Sequence, residues 1–333
     1  MSSSVVGWLI VLAGAVMQGS WALPQKFVRG WAWEKMWLLF CIVALVILPW
    51  LLVGLVIPQP GQVYSNAGSG VLVETALFGA GWGIGNVLFG LGVASVGMAL
   101  AFAIIISLTA ALGMLVPLAI QHPDQLTSPK GLMLMGGLLL VIAGVAFCSK
   151  AGALKDAGAA AAKGHFTRGL LICIGSGVTS PMMNFAFTFG KPIQDQATRL
   201  GAHPGAASIT LLAIAVGAGF IVNAAYTAYL LAKNKTWARG AASDRLRNLA
   251  CVTAMGCMWL FGFFLYGIGV TSLGSMGTVV GWPVLMTTMV LVANLWGLLT
   301  GEWKNADKRA FRYLGAGLAL MVTALVVMGW PVG

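Results

Sequence analysis

Gly90-Leu-Gly-Val-Ala-Ser-Val-Gly97 interrupts an apolar run that reaches from Val71 to Ile120, and Gly267-Ile-Gly-Val-Thr-Ser-Leu-Gly274 repeats it 177 positions later. A helix needs roughly 20 residues to cross the hydrocarbon layer, so the run is too long for one span. The small residues of Val93-Ala-Ser-Val-Gly97 place a tight turn between two spans. Upstream, Trp82 precedes the first stretch at the same spacing as Trp259 precedes the second, so Trp, three Gly, Val and Ser coincide without a gap. The pattern predicts an all-α integral membrane protein built by internal duplication.

Outward from this stretch, apolar windows fall at 4–23, 35–57, 71–94, 97–120, 131–149, 168–190, 206–232, 246–269, 274–298 and 309–330. They read as about ten transmembrane helices in a single membrane domain, 1–333, with a first five-helix half at 1–150 and a second at 166–333. The repeat equates the third window with the eighth. Each half then has an odd number of spans, so the two are inverted with respect to each other. Inverted repeats favour a solute site near the midplane and alternating access to it, which points to a transporter.

Composition agrees. The 333 residues are 59% hydrophobic and only 8% charged, with a mean hydropathy of +0.92, whereas soluble domains carry about a quarter charged residues. Met1-Ser-Ser-Ser-Val-Val lacks a basic segment and a small-residue cleavage site, so the apolar start is read as the first span rather than a leader. The five cysteines are scattered through apolar stretches without metal-ligand spacing. No metal, cofactor or catalytic residue is expected.

The net charge of +11 does not signal nucleic acid, because the basic residues sit in short connections between spans. Connections after the odd-numbered windows, with Lys26, Arg29, Lys35, Lys150, Lys155, Lys163, Arg168, Lys233, Lys235, Arg239, Arg245, Arg247, Lys304, Lys308, Arg309 and Arg312, hold 16 of the 19 Lys and Arg residues. Lys130, Lys191 and Arg199 are left for the other side. The bias predicts that both termini lie outside.

Inside the spans, Gly79-Ala-Gly-Trp-Gly-Ile-Gly85 permits close helix approach and is not a phosphate loop, since no strand precedes it. Pro181 in the sixth window and Pro283 in the ninth free backbone carbonyls that must be satisfied within protein or by a ligand.

Several stretches resemble the L-rhamnose–proton symporter family of the drug/metabolite transporter superfamily. They are Pro24-Gln-Lys-Phe-Val-Arg-Gly-Trp-Ala-Trp-Glu-Lys-Met-Trp37 with Ile47-Leu-Pro-Trp50; Leu77-Phe-Gly-Ala-Gly-Trp-Gly-Ile-Gly-Asn86 with Phe89-Gly-Leu and Gly97-Met-Ala-Leu-Ala; and Gly301-Glu-Trp-Lys-Asn-Ala306. The Lys150-Ala-Gly loop and Gly190-Lys-Pro192 extend the resemblance over nearly the whole chain. It implies a duplicated ten-helix fold and cation-coupled uptake of a deoxyhexose across a bacterial inner membrane. Enterobacterial members carry a Tyr/Asp-rich patch at the start of the ninth helix. This chain reads Ser275-Met-Gly-Thr-Val-Val-Gly-Trp282 there, keeping the tryptophan and lacking the acid.

A neutral sugar calls for a flat apolar surface against its C–H face and a few convergent polar groups. Candidate binding residues are Gln18, Trp21, Trp82, Asn86, Asn184, Trp259, Tyr266, Thr278 and Trp282. Trp82 and Asn86 are four apart and share a helix face, as do Asn184 and Thr188. Of the eight acids, Glu74 falls clearly within a span and is the candidate for proton coupling, while Glu34, Asp124, Asp156, Asp195, Asp244, Glu302 and Asp307 read as loop or helix-end residues. Lys26 is a candidate gate that pairs with an acid such as Glu302. The expected partners are a small sugar, a proton and the lipid bilayer. An exporter of apolar or cationic molecules is the main alternative; an intramembrane enzyme lacks a His/Asp or metal-ligand cluster within the spans.

Overall fold

Ten helices long and apolar enough to cross a membrane run through the described residues of the computed structural model. They are α1 (Ser4–Phe27), α2 (Trp33–Val56), α3 (Ser69–Val96), α4 (Met98–Gln121), α5 (Pro129–Lys155), α6 (Phe166–Arg199), α7 (Ser208–Asn234), α8 (Arg245–Ser272), α9 (Gly277–Leu299) and α10 (Lys308–Gly329). The structure describes residues 3–155, 166–238, 244–304 and 306–329, and no strand occurs among them. Asp156, Lys163, His165, Arg239 and Asn305 lie outside the described residues.

The turn expected at Val93–Gly97 is a single residue. Helix α3 runs to Val96, Gly97 takes φ +84°, and α4 begins at Met98. That backbone region is costly for any residue with a Cβ. Gly274, the residue matching Gly97 in the repeat, takes φ +80° two residues after α8 ends. The two glycines do the same local work at corresponding helix ends.

Helix α6 is longer than its apolar window and is broken twice. A helical piece Phe166–Thr179 stops at a turn holding Ser180 and Pro181, and a second piece, Met182–Phe189, stops at Gly190. A third piece, Lys191–Arg199, has Pro192 in its first turn, where a missing N–H costs nothing. Lys191 and Arg199 therefore stand on a polar helical turn rather than in a loop. A hydropathy window could not find that turn because its sequence, Lys-Pro-Ile-Gln-Asp-Gln-Ala-Thr-Arg, is hydrophilic. Pro283 is accommodated within α9, where the Thr287 hydroxyl donates to the Pro283 carbonyl at 2.6 Å.

The chain gathers into two units, and each draws on both sequence halves. The first holds residues up to Ile84 and Met182–Gly274: α1, α2, the start of α3, the later pieces of α6, α7 and α8. Within it α1 packs along α8, and α2 packs on α7. The second holds Gly85–Pro181 and the residues from Ser275 onward: the rest of α3, α4, α5, the first piece of α6, α9 and α10. Within it α5 packs along α10 and α4 against α9.

One packing pattern occurs once in each unit. In the first, Gly7 of α1 lies against Ser272 and Leu273, Val11 against Gly269, and Gln18 against Gly262. In the second, Gly169 of α6 lies against Ser95 and Val96, Cys173 against Gly92, and Ser180 against Gly85. In every matched contact the α3 and α8 members are 177 apart and the α1 and α6 members 162 apart. Small residues at these positions let the two backbones approach closely, which is how helices pack in lipid.

Candidate functional site

The first unit contains a connected series of aromatic rings. Trp33 and Trp37 are one turn apart on α2 and stack at 5.3 Å between centroids. Trp21, near the end of α1, stands edge-on to Trp37 at 6.0 Å and stacks on Phe40 at 5.1 Å and 21°. Phe40 meets Trp259 of α8 edge-on at 6.4 Å. Trp259 in turn contacts Trp82 of α3 at 5.3 Å and Phe263 at 4.8 Å. Phe187 of α6 continues the series to Phe263 at 6.5 Å and to Tyr266 at 5.2 Å.

Polar groups are held at defined points along these rings. Gln18 is buried and its Nε2 donates to the Trp259 carbonyl at 2.6 Å. The Trp37 indole N–H donates to Asn223 Oδ1 at 3.2 Å, while Asn223 Nδ2 donates to the Gly219 carbonyl one turn earlier in α7. The Tyr266 hydroxyl, fully buried, donates to Asn184 Oδ1 at 2.6 Å. Buried polar groups of this kind are nearly always satisfied, because an unmet bond costs about 1–3 kcal/mol. Two buried hydroxyls of this unit, Thr75 and Ser208, have no hydrogen-bond partner among the described residues. Thr75 lies against Gly190, at the second break of α6, and Ser208 lies against Gly267 of α8.

The fold thus brings together six of the residues singled out in the sequence: Gln18, Trp21, Trp82, Asn184, Trp259 and Tyr266. It places Asn86, Thr278 and Trp282 in the second unit. There Trp282 is packed against Gly113 of α4 and its indole N–H donates to the Thr109 carbonyl at 2.9 Å, so the ring ties α9 to α4. Asn86 is half-buried on α3. Glu74 is exposed on the first part of the same helix, and Lys26 is exposed in the 3-10 turn Leu23–Phe27 that ends α1.

Trp33, Trp37, Phe40, Phe187 and Phe263 complete the ring series, and Asn223 is bonded to it, without having been singled out as binding residues. Trp33, Trp37 and Phe40 recur at helical spacing and Asn223 interrupts an apolar span, but those signals do not tell a solute-facing side from a packed one. Chemically the group offers wide apolar faces, amide groups and hydroxyls within one unit, exposed at Trp33 and buried from Phe40 to Tyr266. It suits a small neutral solute with both hydroxyls and a C–H surface better than an ion.

Comparison with known proteins bears on the same point. Residues 1–332 match the family model described as L-rhamnose-proton symport protein (RhaT). The chain is 32% identical over 327 residues to the L-rhamnose-proton symporter of Escherichia coli (strain Crooks), covering 96% of this chain and 95% of that protein. It is 31% identical over 336 residues to the L-rhamnose-proton symporter of Mannheimia succiniciproducens, covering 98% of each. A Klebsiella pneumoniae (strain 342) protein of the same name is 32% identical over 327 residues, covering 96% of this chain and 95% of its own length.

Proposed function

Because this chain belongs to the L-rhamnose-proton symport protein family, we propose that it imports L-rhamnose or a related deoxyhexose, coupled to protons, by alternating access. The match over residues 1–332 carries this reading, since it leaves no spanning helix outside the comparison. The ring series fits such a solute. A deoxyhexose presents an apolar methyl and C–H face that stacks on indole, and hydroxyls that bond to amides and to groups such as the Thr75 and Ser208 hydroxyls. Trp82, Trp259, Asn184 and Tyr266 are all buried in this conformation. A solute therefore reaches them only when the surrounding helices move, as alternating access requires.

The inverted duplication is part of the same proposal. Its support is the constant spacing of the matched helix contacts and the paired left-handed glycines Gly97 and Gly274. Duplicated five-helix halves also suit the drug/metabolite transporter superfamily, in which we place the family. We assign the protein to the bacterial inner membrane with both termini outside, on the distribution of Lys and Arg among the connections.

The test uses purified protein in liposomes. Adding L-rhamnose should drive uptake of the sugar together with alkalinisation of the external medium, and L-rhamnose should raise the melting temperature of the protein in detergent. Stabilisation by lipophilic cations alone, with no sugar-dependent proton movement, would overturn the reading in favour of an exporter.

A further inference from the structure

Glu34 is the one buried carboxylate among the described residues, with 7% of its surface exposed. Glu74, Asp124, Glu302 and Asp307 are exposed, and Asp195 and Asp244 are half-buried. Glu34 stands in the first turn of α2. Its Oε1 accepts two hydrogen bonds from residues about 200 positions away in the chain: one from the Thr236 hydroxyl, itself buried, and one at 3.1 Å from the Asn234 side-chain amide. Between those donors Lys235 adopts φ +54°, a left-handed conformation that costs a residue with a Cβ roughly 1–2 kcal/mol. That turn brings both of its neighbours to the same oxygen.

Glu34 is also linked to the ring series. Trp37 follows it by one helical turn on the same face, and Trp37 is bonded to Asn223 of α7. Helices α2 and α7 are thus tied twice, once through the carboxylate and once through an indole that touches Trp21. The packed elements bring mainly basic charges to this end of the unit: Lys26 and Arg29 on the α1–α2 connection, Lys35 beside Glu34, Lys233 and Lys235 at the end of α7, and Arg245 and Arg247 at the start of α8. Asp244, just before α8, is the acid among them.

We propose that Glu34 is the proton-binding residue of the transport cycle. This rests on the proton-coupled reading above. A proton from water adds to a carboxylate oxygen of Glu34, the bonds from Thr236 and Asn234 loosen, and one of the two ties between α2 and α7 is released one turn from the rings. The proton returns to water on the other side of the membrane when the carboxylate re-forms those bonds. A titratable group buried on a spanning helix, held by contacts that favour one charge state, is the physical requirement for such coupling.

The deciding experiment is Glu34→Gln in liposomes. The amide keeps an acceptor for Thr236 and mimics the protonated state. Exchange of labelled for unlabelled L-rhamnose should persist, while accumulation driven by a pH gradient and sugar-induced alkalinisation should both be lost. Accumulation equal to wild type overturns the proposal, as does its retention in Glu34→Gln together with its loss in Glu74→Gln. Should Glu34→Gln not fold, Thr236→Val serves instead: removing a donor to the ionised form should move the midpoint of pH-dependent uptake upward by about one pH unit. An unmoved midpoint overturns the proposal. If wild-type protein moves no protons with the sugar, the functional reading itself fails before any variant is compared.

Discussion

The indole rings of Trp82 and Trp259 meet with their centroids 5.3 Å apart and their planes inclined by 37°. Trp259 follows Trp82 by 177 positions, the offset at which the two glycine-rich stretches coincide, and the two rings meet within one unit. Trp82 is 7% exposed and Trp259 5%. Removing either ring should therefore open space at the middle of the aromatic series rather than at the protein surface. With stacking worth about 0.5–1.5 kcal/mol, Trp259→Ala should weaken L-rhamnose binding roughly tenfold. Trp259→Phe should restore most of it. Calorimetric titration in detergent measures both, and wild-type affinity in Trp259→Ala would remove the ring from the site.

The Tyr266–Asn184 bond predicts a different kind of loss. Tyr266→Phe keeps the ring contact with Phe187 and takes away only the hydroxyl donated to Asn184. One buried hydrogen bond should cost about 1–2 kcal/mol of stability, seen as a melting temperature several degrees lower in detergent. If the melt does not change, the two side chains are not bonded in the working protein.

Glycines in the repeat separate two physical demands. At Gly97 a methyl group would meet open space, so Gly97→Ala tests the backbone alone, at about 1–2 kcal/mol for φ +84°. At Gly262 the neighbours are Gln18 and the Gly14 carbonyl, so Gly262→Leu forces α1 away from α8. The first variant should fold with a lowered melting temperature. The second should lose most of its monodisperse yield on size-exclusion chromatography, and so should Gly85→Leu, its counterpart.

Orientation is checked by fusion. A reporter that is active only in the cytoplasm, joined to the C-terminus, should be silent, and a periplasmic alkaline phosphatase at the same place should be active. The opposite pair of results would reverse both termini.

The number of spans, the turn at Gly97 and the likeness of the third and eighth helices were all legible in the order of residues. Each follows from local features: apolar length against bilayer thickness, a glycine where φ must be positive, and a shared spacing of Trp, Gly and Ser. Trp33, Trp37, Phe40, Phe187, Phe263 and Asn223 gave no signal that set them apart, while Gln18, Trp21, Trp82, Asn184, Trp259 and Tyr266 were legible as candidates. Which of them share a unit was not. Asn86 and Trp282 carry the same local signals as Trp82 and Trp259, yet they pack in the second unit: α3 passes from one unit to the other at Gly85, just before Asn86, and all of α9, with Trp282, belongs to the second unit. Glu34 read as a loop or helix-end acid, since nothing within its own stretch marks it as enclosed. Folding brings Asn234 and Thr236 onto it from about 200 residues away, and burial of a charge is a property of what packs around it rather than of its neighbours in the chain.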